Sequence, residues 1–150
     1  MGHTSTNLIV HFIFSTKQRR PSIQAHFQSR LHAYMGGIVR EMNGSALRIN
    51  GTANHVHMLV RMPAVCAVAE MARVVKTNSS RWVHEQWPEC RDFAWQTGYG
   101  AFSVSASHVA VVTQYIARQE EHHRKRAVRE EFVSFLTKNG IACDERYIWE

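Results

Sequence analysis

The stretch Asn54-His55-Val56-His57-Met58-Leu59-Val60 carries two histidines inside an apolar run. Alternating side chains of a β-strand point to opposite faces of its sheet, so residues two apart share a face. His55 and His57 are therefore expected side by side on one face, while Val56 and Met58 turn to the other face and enter a core. Two neutral imidazoles on a rigid strand are half of a metal site. A half-exposed histidine pair with no ligand role explains the same pattern.

The segments around this strand, predicted over residues 55–62, indicate a small sheet covered by helices. Upstream, the periodicity predicts a strand, a helix and a short hairpin strand, at residues 7–14, 23–41 and 46–50. Downstream, it predicts a helix, an extended segment and two more helices, at residues 65–82, 93–105, 107–126 and 128–138. This order indicates an α+β fold with a ferredoxin-like or RRM-like antiparallel sheet and the first two helices on one face. The helix over 107–126 and a C-terminal helix are added to it.

Composition limits the classes of protein to consider. The chain has 150 residues, of which 45% are hydrophobic, and this suits one globular domain with a core. A formal net charge of +6 favours an anionic partner, nucleic acid before a membrane surface. Three widely spaced cysteines without a CxxC pair argue against a disulfide framework or a zinc finger and favour a reducing cytoplasm. No apolar run approaches the roughly 18 residues of a membrane span, so no membrane partner is expected.

The helix over 107–126 offers the second half of a site. Tyr115 and Gln119 are four residues apart and share a helix face, which could lie against the free face of the sheet near His55 and His57. Two imidazoles and one amide oxygen would leave a divalent cation open positions for a phosphate oxygen and water. A phenol beside that cation is a candidate nucleophile. Taken singly, Tyr115 is better explained as an amphipathic boundary residue and Gln119 as a solvated one.

Four segments together resemble the small insertion-sequence transposases of the single-tyrosine HUH (histidine-hydrophobic-histidine) type, a family that includes the REP-associated tyrosine transposases. The likeness runs from about residue 7 to 149. The segments are the motif over 54–60, the run over 95–105 that begins Trp95-Gln96-x-Gly98-Tyr99-Gly100, the pattern Tyr115-x-x-x-Gln119-x-x-His122-His123, and Asp144-Glu145-Arg146-Tyr147.

The resemblance implies one HUH transposase domain over residues 1–150. His55, His57 and Gln119 would bind Mg²⁺ or Mn²⁺, and Tyr115 would attack a phosphodiester of single-stranded DNA, leaving a 5′-phosphotyrosine and a free 3′-hydroxyl. It also implies hairpin-forming DNA ends, a homodimer, and a prokaryotic, nucleoid-associated location. The chain departs from the family at Asn54, where an acidic residue is common, so a carboxylate that could orient the first histidine is missing.

Several basic residues are candidate phosphate contacts by charge and position. They are Lys17, Arg19, Arg20, Lys76, Arg81, Arg124 and Lys125. A solvated face explains most of them nearly as well, and cations at the end of a helix also interact favourably with its dipole.

Other functions remain open from the sequence. A non-catalytic RRM-like module would need stacking aromatics where His55 and His57 stand. A phosphoesterase with two histidine motifs would need a second His-x-Thr/Ser motif, and none is found within the predicted strands. A transposase relative that only binds DNA hairpins is disfavoured by the intact set of histidines, tyrosine and glutamine. Tyr99 is a rival nucleophile, although its place between two glycines better suits an exposed turn.

Overall fold

A computed structural model describes residues 2–125 and 127–142, and for residues 122, 124 and 125 the backbone alone. The sheet is built from β1 (Leu8–Ser15), β2 (Ser45–Gly51), β3 (His55–Met62) and β4 (Gly100–Val104). The α-helices are α1 (Gln28–Glu41), α2 (Val68–Gln86), α3 (Val109–Ala117), α4 (Gln119–Lys125) and α5 (Val128–Lys138). Short 3-10 turns span 17–19, 88–90 and 106–108. The predicted C-terminal motif over 144–147 lies outside the described residues.

The strands form one antiparallel sheet in the order β2-β3-β1-β4. With α1 between β1 and β2, and α2 between β3 and β4, this is the βαββαβ arrangement of a ferredoxin-like fold. The expected α+β fold is confirmed. Strands β1 and β3 are central, and their register pairs Ile13 with His57 and Ser15 with His55. The histidine motif therefore stands in the middle of the sheet, where both faces are covered.

The first face of the sheet, called the core face below, packs on α1 and α2. From β3 it receives Val56, Met58 and Val60, all fully buried. The two helices contribute apolar side chains at helical spacing, and these join the strand residues in the largest hydrophobic cluster. They are Leu31, Met35 and Val39 from α1, and Met71, Ala72 and Val75 from α2.

The opposite face, called the site face below, is covered by α3 and α5. Ile116 of α3 packs with Ile9 and Leu59 of the sheet, and these three form one small hydrophobic cluster. Phe132 and Leu136 of α5 pack in another cluster with Ile13 and Phe102. A Cβ atom on Gly100 would collide with the Phe132 ring, so β4 needs glycine there to let α5 approach. Both helices thus bring their polar side chains to the strand that carries the histidines.

Three helices differ from the predicted ones. The helix expected over 65–82 runs from Val68 to Gln86. The helix expected over 23–41 begins only at Gln28, because residues 23–24 are irregular and residues 25–27 form a turn. The continuous helix expected over 107–126 is interrupted at Arg118, whose backbone N–H donates to Tyr115 O in a tight turn. Asn50 on β2 satisfies the carbonyls freed by the break, since its Nδ2 lies 3.0 Å from Ile116 O and 3.2 Å from Ala117 O. Because this contact joins distant parts of the chain, the local periodicity of the sequence could not predict the break.

Across the described ranges, no helix combines the length and the apolar character needed to cross a bilayer.

Candidate metal and nucleophile site

The imidazoles of His55 and His57 turn their Nε2 atoms toward the same spot on the site face. Both residues are 0% exposed, so the description as a half-exposed pair is wrong. His55 Nε2 lies 3.0 Å from Gln119 Oε1, and His57 Nε2 lies 2.7 Å from Glu131 Oε1. The same Glu131 oxygen is 3.7 Å from His55 Nε2. The period-two prediction for β3 therefore gave the correct face and the correct pair.

The Nδ1 atoms of both histidines are held by polar partners behind the site. His55 Nδ1 lies 2.9 Å from Asn54 Oδ1 and 2.9 Å from Thr52 Oγ1. His57 Nδ1 lies 2.8 Å from the Nε2 atom of His11, a buried histidine of β1. Such partners fix the orientation of a metal-binding imidazole and leave its other nitrogen for the ligand. The orienting acceptor that Asn54 seemed to lack is thus supplied by its amide oxygen.

The structure brings the predicted tyrosine and glutamine to the histidines, although they stand on either side of the break at Arg118. Tyr115 is half-buried, its ring centroid lies 5.8 Å from that of His57, and its hydroxyl donates to Glu131 Oε2. Gln119 is fully buried rather than solvated, and its Nε2 donates to Tyr115 O over 3.3 Å. All four predicted residues of the catalytic and metal sites therefore lie together.

Two further residues belong to the cluster: Glu131 was missed by the sequence analysis, and His123 was named there only as part of the pattern that follows Tyr115. Glu131 on α5 is 1% exposed and contacts both His57 and Tyr115, and His123 Nε2 lies 3.2 Å from its Oε2. One ligand atom from each of His55, His57, His123 and Glu131 lies within 4.8 Å of the others. A signal for Glu131 was present, because it occupies the apolar stripe of α5 together with Val128, Phe132 and Leu136.

Burial and hydrogen bonding shift the pKa values of three groups at the site. Desolvation is the largest cause that lowers the pKa of His55, to about 3, and it also holds the pKa of His11 well below its usual range. Burial alone would raise the pKa of Glu131, but hydrogen bonds from His123, His57 and Tyr115 outweigh it and hold that pKa well below the usual range. At neutral pH, His55 is therefore a neutral imidazole and Glu131 an ionised carboxylate.

The donor atoms fit a divalent cation. Thr52 Oγ1 donates to Asn54 Oδ1 over 3.2 Å and can accept a hydrogen bond from His55 Nδ1. Because the His55 proton is then on Nδ1, its Nε2 atom presents a lone pair to Gln119 Oε1. Two lone pairs 3.0 Å apart repel unless a cation or a proton stabilises them. Neighbouring ligands of an octahedral Mg²⁺ lie about 3.0 Å apart when each is about 2.1 Å from the ion. The imidazole nitrogens and the carboxylate and amide oxygens form a donor set that could hold a metal ion.

The predicted phosphate contacts occupy different places. Lys17, Arg19 and Arg20 are exposed on the segment after β1, which begins beside the histidines because Thr16 N donates to Asn54 O over 2.9 Å. The side chains of Arg124 and Lys125 lie outside the described residues.

Two predicted contacts on α2 already have partners within the protein. Lys76 Nζ donates to Thr97 O over 3.0 Å and to Gly98 O over 2.8 Å, and burial lowers its pKa to about 8. Arg81 donates to Asn78 Oδ1 over 2.6 Å. The rival nucleophile Tyr99 packs against the core-face cluster, 6.3 Å from the Phe12 ring, and not against the histidines.

The ferredoxin-like sheet holds a histidine pair on one strand, and this pair faces a tyrosine and a glutamine. The fold and this site together define the class of protein. The family model described as IS200-like transposase matches residues 4–119. The chain belongs to the IS200-like transposase family, and the resemblance to small single-tyrosine transposases is confirmed.

Individual relatives agree with this assignment. Transposases for insertion sequence element IS200 from Salmonella typhimurium and Salmonella typhi are each 29% identical over 134 residues, covering 83% of this chain and 84% of theirs. A crystal structure described as a transposase from Deinococcus radiodurans has a TM-score of 0.63 at 20% identity, over 79% of this chain and 96% of that one. A REP-associated tyrosine transposase bound to a REP hairpin has a TM-score of 0.61 at 12% identity, over 82% and 74%. These two structures share the fold.

Proposed function

We propose that this protein is a metal-dependent DNA transposase and endonuclease that cleaves and rejoins single-stranded DNA through a 5′-phosphotyrosine at Tyr115. The observation that carries the proposal is the meeting of the Tyr115 hydroxyl and the His57 imidazole on one buried carboxylate, beside His55 and Gln119. Packing alone would not require Tyr115 to lie among candidate metal ligands. The family membership supports DNA cleavage and strand transfer as the chemistry.

Each residue has a role in this mechanism. His55, His57 and Gln119 would hold Mg²⁺ or Mn²⁺, which when bound polarises the scissile phosphate as a Lewis acid. Tyr115 Oη attacks the phosphorus, a Tyr–O–P bond forms, and the bond to the DNA 3′-oxygen breaks. The phenolic proton has an acceptor in place at Glu131 Oε2, and the leaving oxygen takes up a proton to become a 3′-hydroxyl. Attack of a 3′-hydroxyl on the phosphotyrosine reverses these steps and rejoins DNA without ATP.

The DNA proposed as substrate is a single strand with hairpin-forming ends. A protein of similar fold has been solved with a REP hairpin, and the charge of +6 on this chain suits a polyanion. Lys17, Arg19 and Arg20 are exposed beside the histidine end of β3 and would hold phosphates near the site. A homodimer and a nucleoid-associated location belong to the same proposal.

Denaturing electrophoresis of the purified protein with labelled single-stranded hairpins from the flanks of its own gene tests the proposal. We expect a slowly migrating covalent band that requires Mn²⁺ and is lost in EDTA. Tyr115→Phe should abolish the band and retain DNA binding, whereas the matched control Tyr99→Phe should form it.

Two outcomes would contradict the proposal. A covalent band in Tyr115→Phe would show that another residue is the nucleophile. Tight binding without any band, for both flanks and several metals, would instead support a protein that only binds DNA hairpins.

A further inference from the structure

Glu131 is a carboxylate in a place where an apolar side chain would stabilise the fold more. Its neighbours on the same stripe of α5, Val128, Phe132 and Leu136, are all buried. Removing a carboxylate from water is costly unless it is paired and hydrogen-bonded. The packing of α5 alone therefore does not explain why a carboxylate occupies this position. The explanation lies in the contacts of Glu131 within the site.

The two oxygens of Glu131 face different partners. Oε1 lies 2.7 Å from His57 Nε2 and 3.7 Å from His55 Nε2, so it faces both histidine ligands at once. Oε2 accepts from the Tyr115 hydroxyl and lies 3.2 Å from His123 Nε2. One carboxylate thus touches the metal-binding pair with one oxygen and the proposed nucleophile with the other.

We propose that Glu131 bridges the cation and the nucleophile: Oε1 is a further ligand of the cation on His55 and His57, while Oε2 holds the Tyr115 hydroxyl beside it. This inference rests on the proposed function and adds α5 to its site. Oxygen anions are the ligands that Mg²⁺ and Mn²⁺ prefer, and a neutral amide such as that of Gln119 is weaker. Among the described residues of the cluster, Glu131 supplies the sole carboxylate.

The bridge gives the cation a second effect, because the cation and Tyr115 share one rigid carboxylate. A positioned nucleophile requires restricted motion, and the Tyr115 phenol is held by the same group that the cation would fix. The docking of Phe132 against Gly100 and Phe102 places α5, so it also sets the position of Glu131. Binding of the cation should therefore change the surroundings of Tyr115 through Glu131, in the absence of DNA.

Titration of Mn²⁺ into the full chain without DNA, followed by calorimetry, tests the ligand half of the bridge. Outer partners of metal ligands contribute about 10- to 100-fold in affinity, so loss of a direct ligand in Glu131→Gln should weaken Mn²⁺ binding about 100-fold or more. Glu130→Gln makes the same chemical change at an exposed neighbour on α5 and should bind Mn²⁺ like the wild type. Unchanged affinity in Glu131→Gln, with affinity lost in His57→Ala, overturns the inference and leaves the proposed function intact. Unchanged affinity in both variants removes the proposed metal site itself.

Nuclear magnetic resonance of protein labelled with ¹³C at the tyrosine ζ-carbon tests the nucleophile half. The Tyr115 signal, identified by its loss in Tyr115→Phe, should shift on addition of Mg²⁺ in the wild type and in Glu130→Gln. It should not shift in Glu131→Gln at saturating Mg²⁺. An equal shift in that variant overturns the bridge. If Glu131→Gln does not fold, the wild type alone still tests the bridge, because a Tyr115 signal that does not shift on addition of Mg²⁺ also overturns it.

Discussion

The two faces of the sheet differ in chemistry although they share strand β3. On the core face, Val56, Met58 and Val60 meet the apolar sides of α1 and α2. On the site face, His55 and His57 of the same strand meet polar groups from three other helices. Burial of apolar area stabilises a fold, whereas burial of polar groups costs free energy unless each finds a partner. The core face therefore stabilises the protein, and part of that stability offsets the cost of burying the polar groups of the site face.

The polar residues of the site face are as buried as the apolar residues of the core face. His11, His55, His57, Gln119 and Glu131 are all at most 1% exposed, and a polar atom of each lies within 3.0 Å of a polar atom of another member. In a network of this kind, the loss of one member leaves its neighbours unpaired, so effects of substitution spread. The core face should respond mainly in stability and the site face mainly in metal binding and cleavage.

The largest expected effect is that of His57→Ala on the site face. Removal of a cation ligand should lower the rate of covalent adduct formation by about 10²- to 10³-fold or more, comparable to loss of an electrostatic group in other active sites. Quantified denaturing gels with a labelled hairpin measure that rate. His3→Ala, an exposed histidine before β1, is the matched control and should react normally. If His57→Ala is folded and forms the adduct at the normal rate, the expected functional difference between the site face and the core face is wrong.

Met58→Ala, one residue away on the same strand, should produce the reverse pattern. Met58 is fully buried in the core-face cluster, and truncation of a buried methionine to alanine lowers the free energy of unfolding by about 2–5 kcal/mol. Urea denaturation measures this loss. At a temperature where the variant is folded, its Mn²⁺ affinity should match that of the wild type. A large loss of Mn²⁺ affinity would show that the two faces are coupled through β3.

The sequence predicted the core face and half of the site face, for physical reasons that individual residues show. Strand β3 was predicted with its observed bounds because alternation is a local signal, and the common direction of His55 and His57 follows from it. The bounds of α5 were also predicted, yet Glu131 was missed because its partners come from β3 and α3. The helix break at Arg118 depends on Asn50, a residue of β2 far away along the chain.

The smallest expected effect is that of His11→Leu, which separates stability from function within the site face. His11 Nε2 is the partner of His57 Nδ1 at 2.8 Å, so leucine removes the group that orients the ligand ring. Loss of such a partner typically weakens metal binding by about 10- to 100-fold. Leucine leaves the buried His57 Nδ1 without this partner, which costs about 1–3 kcal/mol, and its own packing next to Phe135 offsets part of that cost, so the thermal unfolding midpoint should fall only slightly.

Calorimetric Mn²⁺ titration and thermal melts of His11→Leu measure the two quantities, and His11→Gln is the matched control, because its amide can reach His57 Nδ1. Glutamine should retain most of the Mn²⁺ affinity. If leucine binds Mn²⁺ as tightly as histidine does, the contact from β1 is only packing. The orientation of His57 would then depend on Glu131 and the strand alone. If leucine instead weakens binding and glutamine restores it while both proteins melt close to the wild type, the buried polar network of the site face serves the metal site more than the fold.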